Sequence, residues 1–142
     1  MKKILIGIGC LFLFFGHAFS SDLRQVKVQV LAKSVCSWDG SKLPQYKKGQ
    51  PEVTILKITI PAHVKLPWHK HPVINAGVLI KGQLTVITKD NNVLRLKAGD
   101  PIVEVVDKWH YGKNEGNTPA EIIVFYAGIK DVPITIIKKG TE

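Results

Sequence analysis

The stretch "WHKHPVIN", residues 68–75, puts His69 and His71 one residue apart in an otherwise apolar, β-branched part of the chain. In an extended strand, residues two apart point to the same face. Two imidazoles on one face, one strand-step apart, can both reach a metal ion between them. By itself His-x-His is a weak signal, because two surface histidines give the same pattern. Asn75 lies four residues beyond His71, on the same face if the strand continues. A third histidine, His110, stands far downstream, and Asn114 follows it. Neutral imidazoles with open positions beside them suit Zn, Cu, Ni or Fe(II).

The chain that must position these groups reads as short strands. Residues 26–31 (VKVQVL) alternate apolar and polar, as a half-buried strand does. Residues 53–60 are β-branched. Residues 77–88 read as two strands around Gly82, and 89–92 (KDNN) are turn chemistry before the strand at 93–97. Further strands are expected at 101–106, 121–128 and 133–139. Residues 36–50 read as an ordered loop on the outside, and 113–119 as another loop. Many short strands punctuated by Gly, Pro and Asn predict an all-β sandwich or barrel.

The arrangement resembles the cupin superfamily. Its first motif runs from a glycine through His-x-His and an acidic ligand to a second glycine. "HVKLPWHKHPVINAGVLIKG" (63–82) has that spacing, and "GDPIVEVVDKWHYGKN" (99–114) has the spacing of the second motif, with one histidine and an asparagine. The resemblance covers about residues 58–127, within one domain expected at 21–142. It implies a jelly-roll barrel, a double-stranded β-helix, with His69, His71 and His110 as ligands of one divalent transition metal. Three departures stand out. His63 occupies a glycine position and is read as a turn residue. Val105 and Asp107 stand where Pro and Gly are common. Asn75 stands where metal-binding cupins carry glutamate. An amide oxygen is a weak neutral ligand, so the site is expected to lack an anion, with Asn75 as a weak ligand or a partner to a metal-bound group. Glu104 is a candidate acid or base whose face the sequence leaves open, with an exposed strand glutamate the preferred reading, and Tyr111 and Lys113 after His110 serve equally well as rim residues. Val73, Val86 and Phe125 or Tyr126 are expected to line the cavity.

Residues 1–20 read as a secretory signal peptide: "MKK", an apolar run, then Ala18-Phe19-Ser20 before Ser21. The apolar run is short for a membrane span. Cys10 lies inside it, where a lipoprotein cysteine would not. A periplasmic or secreted protein, exported by a bacterial general secretory route, is expected. No membrane span is expected after cleavage. Cys36 would be the only cysteine left, which excludes an internal disulfide and suits a half-buried thiol. The chain has 20 Lys and Arg against 11 Asp and Glu, but they are scattered, so a solvated surface is expected rather than a nucleic-acid site. A small-molecule ligand or substrate and a homodimer are the expected partners. Three functions stay open at this point: a metal-dependent enzyme of dioxygenase, isomerase or lyase type; a binding or sensing module; and a structural metal clip.

Overall fold

The structure, a computed structural model, describes residues 26–139. The signal peptide read at residues 1–20 and the start at Ser21 lie outside the described residues. The described residues form nine strands and no helix: β1 (Pro51–Ile60), β2 (His69–Lys70), β3 (Ile74–Lys81), β4 (Gln83–Thr88), β5 (Val93–Lys97), β6 (Pro101–Val103), β7 (His110–Lys113), β8 (Ala120–Ile129) and β9 (Ile136–Ile137). They build two antiparallel sheets, ordered β1-β8-β3-β6 and β5-β4-β7-β2-β9. From β2 onward the chain passes back and forth between the two sheets, which is the winding of a double-stranded β-helix.

The period of two in the sequence sets which side chains fill the barrel. In β8, Ala120, Ile122, Val124 and Tyr126 point inward and are buried, while Ile123 and Phe125 point out. Across from them, Leu79 of β3 and Val86 of β4 are also buried, and Ile60 closes one end of the same core. β1 and β8 pair over their full length, from Pro51↔Ile129 to Ile60↔Ala120. Gly82 makes the β3–β4 turn with φ at +73°, and a Cβ there would meet Pro119 O at 2.8 Å, so glycine is required on both counts.

Residues 26–31 form no strand, contrary to expectation. Val26, Val28 and Val30 are 90%, 85% and 70% exposed. Alternation yields a strand only where a neighbouring edge takes up its hydrogen bonds, and no described strand pairs with this segment. The strand expected at 101–106 stops at Val103, because the chain leaves β3 after Glu104 and reaches the other sheet at Val106, which bridges to His71. Of residues 133–139 only Ile136–Ile137 is strand. Residues 36–50 are an external loop as expected. Trp38 packs on the core and its N–H bonds Val103 O at 2.9 Å.

Asn114 ties the end of β7 to the end of β1. Its Nδ2 donates towards Ile60 O (3.0 Å), Pro61 O (3.2 Å) and Thr118 O (2.8 Å), and its Oδ1 accepts from Gly116 N (2.9 Å). The motif asparagine is therefore a clamp, 1% exposed. Asn114→Ala leaves buried carbonyls unpaired and should cost about 2–3 kcal/mol of stability, read from the shift of the urea unfolding midpoint.

Candidate metal centre

β2 and β7 are neighbours, and their register sets His69 directly opposite His110. His71 follows β2 and bridges to Val106. This junction is held by Asp107, which takes the left-handed conformation (φ 56°) and donates its N–H to His71 O at 2.8 Å. His63 is likewise a left-handed turn residue (φ 60°), exposed and away from the cluster. The three rings of His69, His71 and His110 stand 4.5–5.1 Å apart, centroid to centroid. One nitrogen from each falls within 4.8 Å of the others.

The hydrogen bonds decide which nitrogens face inward. Each Nδ1 meets a backbone carbonyl: His69 at Pro67 O (2.8 Å), His71 at Ile134 O (2.9 Å) and His110 at Lys108 O (2.9 Å). A carbonyl only accepts, so each Nδ1 carries the proton and each Nε2 keeps its lone pair. The Nε2 of His110 is buried and has no partner. Burial lowers all three imidazole pKa values, His71 to about 4. Neutral imidazoles with convergent, unpaired lone pairs are the donor set a transition metal takes, so the residues fit one.

The histidines stand at the polar end of a cavity of about 230 Å³ between the sheets. Its other walls are apolar, including Leu56, Ile58, Leu66, Val86 and Val124. The strand does not continue from His71 to Asn75. The chain bends at Pro72-Val73 and crosses to the other sheet, so Asn75 meets the histidines from across the cavity. Asn75 is 1% exposed. Its Nδ2 donates weakly to Val73 O (3.3 Å) and its buried Oδ1 has no partner. Val86 and Tyr126 line the cavity as expected. Val73 and Phe125 do not: Val73 lines a separate outer cavity beside residues 44–49, and Phe125 is on the outer sheet face. Tyr111 packs edge-on against Trp68 and Lys113 pairs with Glu115 at 2.7 Å, both facing away from the histidines.

Glu104 overturns an expectation. It is buried, it lines the cavity, and its Oε2 stands 3.8 Å from His110 Nε2. Burial pushes its pKa up to about 7. A carboxyl group therefore faces the histidines after all, supplied from beyond β6 rather than from position 75. The inward parity of Ile102 and Glu104 carried the signal, but the face could be assigned only once β6 was paired to β3. Burial also raises the Tyr126 phenol to about 12, which keeps it protonated and able to donate its O–H at neutral pH.

The fold and this cluster define a double-stranded β-helix barrel with a three-histidine centre. The chain belongs to the cupin family: the model described as "Cupin domain" matches residues 56–126, half of the sequence. Curated protein sequences yield no match. Among solved structures it is similar to the DMSP lyase DddQ of Ruegeria pomeroyi, with TM-score 0.53 and 18% identity over 60% of this chain and 42% of that one. An oxalate decarboxylase of Lactobacillus farciminis in a formate complex gives TM-score 0.53 and 18% identity over 62% of this chain and 27% of that one. An uncharacterised Klebsiella pneumoniae protein with a double-stranded β-helix domain gives 0.53 and 17%, over 68% of this chain and 90% of that one. The chain thus spans less than half of either enzyme. These are likenesses of fold.

His69→Ala, His71→Ala and His110→Ala should each weaken divalent-metal binding by more than about 100-fold, the upper end of what supporting residues around a metal achieve. His63→Ala should leave it unchanged, and Asn75→Ala should keep most of the metal, all read by chelator competition. The metal-free chain should also respond to acid. Its unfolded state takes up histidine protons near pH 6.5 while folded His71 waits until about 4, so the histidine contribution is complete above 6.5 and lost as pH falls towards 4. Glu104 has the opposite sign: its contribution is complete below 4.5 and lost as pH rises through about 7. With three histidines against one carboxyl, metal-free stability should peak near pH 6.5 and fall towards pH 4, His71 alone contributing on the order of 3 kcal/mol. Urea midpoints across that range measure it.

Proposed function

We propose that this chain is an exported small cupin that holds one divalent transition metal on His69, His71 and His110 and acts on a small molecule in its barrel. The observation that carries this reading is the convergence of three Nε2 lone pairs at the polar end of an otherwise apolar cavity. A structural metal clip is closed by its own protein ligands; here the donors face open space large enough for a small molecule. An apolar body with one anionic or carbonyl head suits such a cavity: the walls take the body and the polar end takes the head. A bound divalent ion supplies Lewis acidity to that head. Asn75 can accept a hydrogen bond from the bound molecule through its free Oδ1, and Tyr126 adds a phenol to the same cavity.

The reaction type proposed is that of a lyase, isomerase or dioxygenase. Lyase and decarboxylase chemistry occur on this fold in the Ruegeria and Lactobacillus proteins, which supports the class and no single substrate. Export rests on the charged start, apolar run and Ala18-Phe19-Ser20 of the sequence. A homodimer is supported by the apolar outer face of the four-stranded sheet, where Val53, Ile55, Ile123 and Phe125 are exposed.

Untagged protein recovered from the periplasm should carry about one metal ion per chain, the stoichiometry of a single-centre site. Its intact mass should correspond to a start at Ser21, and sedimentation should give a dimer. Azide should perturb the absorption spectrum of the Co(II) form, because an open position faces the cavity. Metal content near zero after careful purification and zinc or cobalt reconstitution would sink the metal reading; a metal indifferent to azide would return the clip.

A further inference from the structure

Glu104 is the one carboxylate lining the histidine cavity, and among the described residues no lysine or arginine pairs with it. Its backbone N–H pairs with Asn75 O at 3.0 Å, extending the β3–β6 ladder by one residue. That fixes its side chain inward. The side chain accepts a weak hydrogen bond from Val105 N at 3.2 Å, and the Trp38 indole N–H also favours its charged form. Among the described residues the basic groups that bear on it are the histidines: His110, at 3.8 Å, and His69. The lysines that approach this end are engaged elsewhere: Lys108 with Asp39 (2.6 Å) and Lys70 with Asp107 (3.2 Å). A buried carboxylate without a cation is strongly disfavoured.

The unpaired atoms around it point the same way. Three buried side-chain atoms lack a hydrogen-bond partner among the described residues: Trp38 Nε1, Asn75 Oδ1 and His110 Nε2. All three belong to residues that adjoin Glu104. The Trp38 indole N–H is a donor that acts on the Glu104 carboxyl itself, and Ser37 before it bonds Glu104 O at 2.8 Å. The other two, Asn75 Oδ1 and His110 Nε2, offer free lone pairs, the pairing that a cation would complete. Two donors on one ion at about 2.1 Å stand about 3.0–3.7 Å apart for angles of 90–120°. The 3.8 Å between Glu104 Oε2 and His110 Nε2 is close to that range. The carboxylate stands outside the 4.8 Å span that the three nitrogens share, so the assignment requires its side chain to turn towards them on loading.

We propose that Glu104 is the fourth protein ligand of the metal, supplying from the second motif the carboxylate that the first motif lacks at Asn75. This rests on the three-histidine reading of the site. The anionic donor has moved from one sheet position to its hydrogen-bonded neighbour, and the centre holds a divalent ion with one compensating negative charge.

Glu104→Gln keeps the shape and removes the charge. Zn(II) and Cu(II) affinities of the wild type, Glu104→Gln and His110→Ala should be measured by chelator competition, with Cu(II) paramagnetic resonance on each. Glu104→Gln should bind about 10- to 100-fold more weakly, with an altered copper hyperfine splitting, and Asn75→Glu in that background should recover affinity by restoring a carboxylate. If the wild type binds neither ion, the three-histidine reading fails. If His110→Ala loses the metal while Glu104→Gln matches the wild type in affinity and spectrum, the ligand role of Glu104 is overturned and the three-histidine centre stands. Should Glu104→Gln fail to fold, a zinc-loaded wild-type crystal decides: a Glu104 oxygen within about 2.2 Å of the ion supports the assignment, and one with no bond to it overturns it.

Discussion

Three backbone carbonyls govern this molecule. Pro67, Lys108 and Ile134 each hold one Nδ1 proton, and so turn three Nε2 lone pairs towards one point. Two of them act from two residues before their histidine, through local geometry alone. The third comes from the far end of the chain and crosses to His71 from the segment before β9. Each ring is fixed in tautomer and direction by a bond to the main chain, which is the least mobile part of any protein. That arrangement also accounts for the shortness of β2 and β7. Their job is to present a single facing pair, His69 opposite His110, before the chain leaves the sheet.

The two sheets divide the chemistry between them. β2 and β7 of the five-stranded sheet bring the imidazoles. β3 of the other sheet brings Asn75, and the residue just past β6 brings Glu104, both from the opposite wall. Apolar side chains from both sheets fill the remainder, so the polar groups act in a poorly solvated space where charges interact strongly. The external loop contributes to this order. Ser37 and Trp38 bond the backbone at Glu104 and Val103, and Asp39 anchors Lys108, whose carbonyl orients His110. Burial alone would raise the Asp39 carboxyl; its bonds from Lys108 and Ser41 outweigh that and hold it at about 2.

Much of this was legible in the residues. The alternation of 53–60 and of 121–128, the turn chemistry around Gly82 and at 89–92, and the motif spacing of the histidines all express local rules, and local rules are visible in a sequence. The misreadings are non-local. Residues 26–31 have the alternation of a strand but no neighbour to pair with. Glu104 has the look of a surface residue in "PIVEVV", and only the pairing of β3 with β6 reveals which way it points. Asn75 was expected beside His71 along one strand; it reaches the site from across the barrel, because Pro72-Val73 turns the chain between sheets. In each case the missing information was a partner distant in sequence.

The bond from Ile134 to His71 sets an order of assembly. Thr135 Oγ1 also lies 3.1 Å from His71 Nδ1, and Lys138 N–H bonds Trp68 O. Until residues 134–138 have docked, His71 has no carbonyl to fix its proton, and β2 lacks one of its two neighbours. A chain made from its N-terminus therefore holds two oriented imidazoles before it holds three. The full set of three donors is complete only once the last described strand has docked, so closing of the barrel and completion of the histidine cluster are one event.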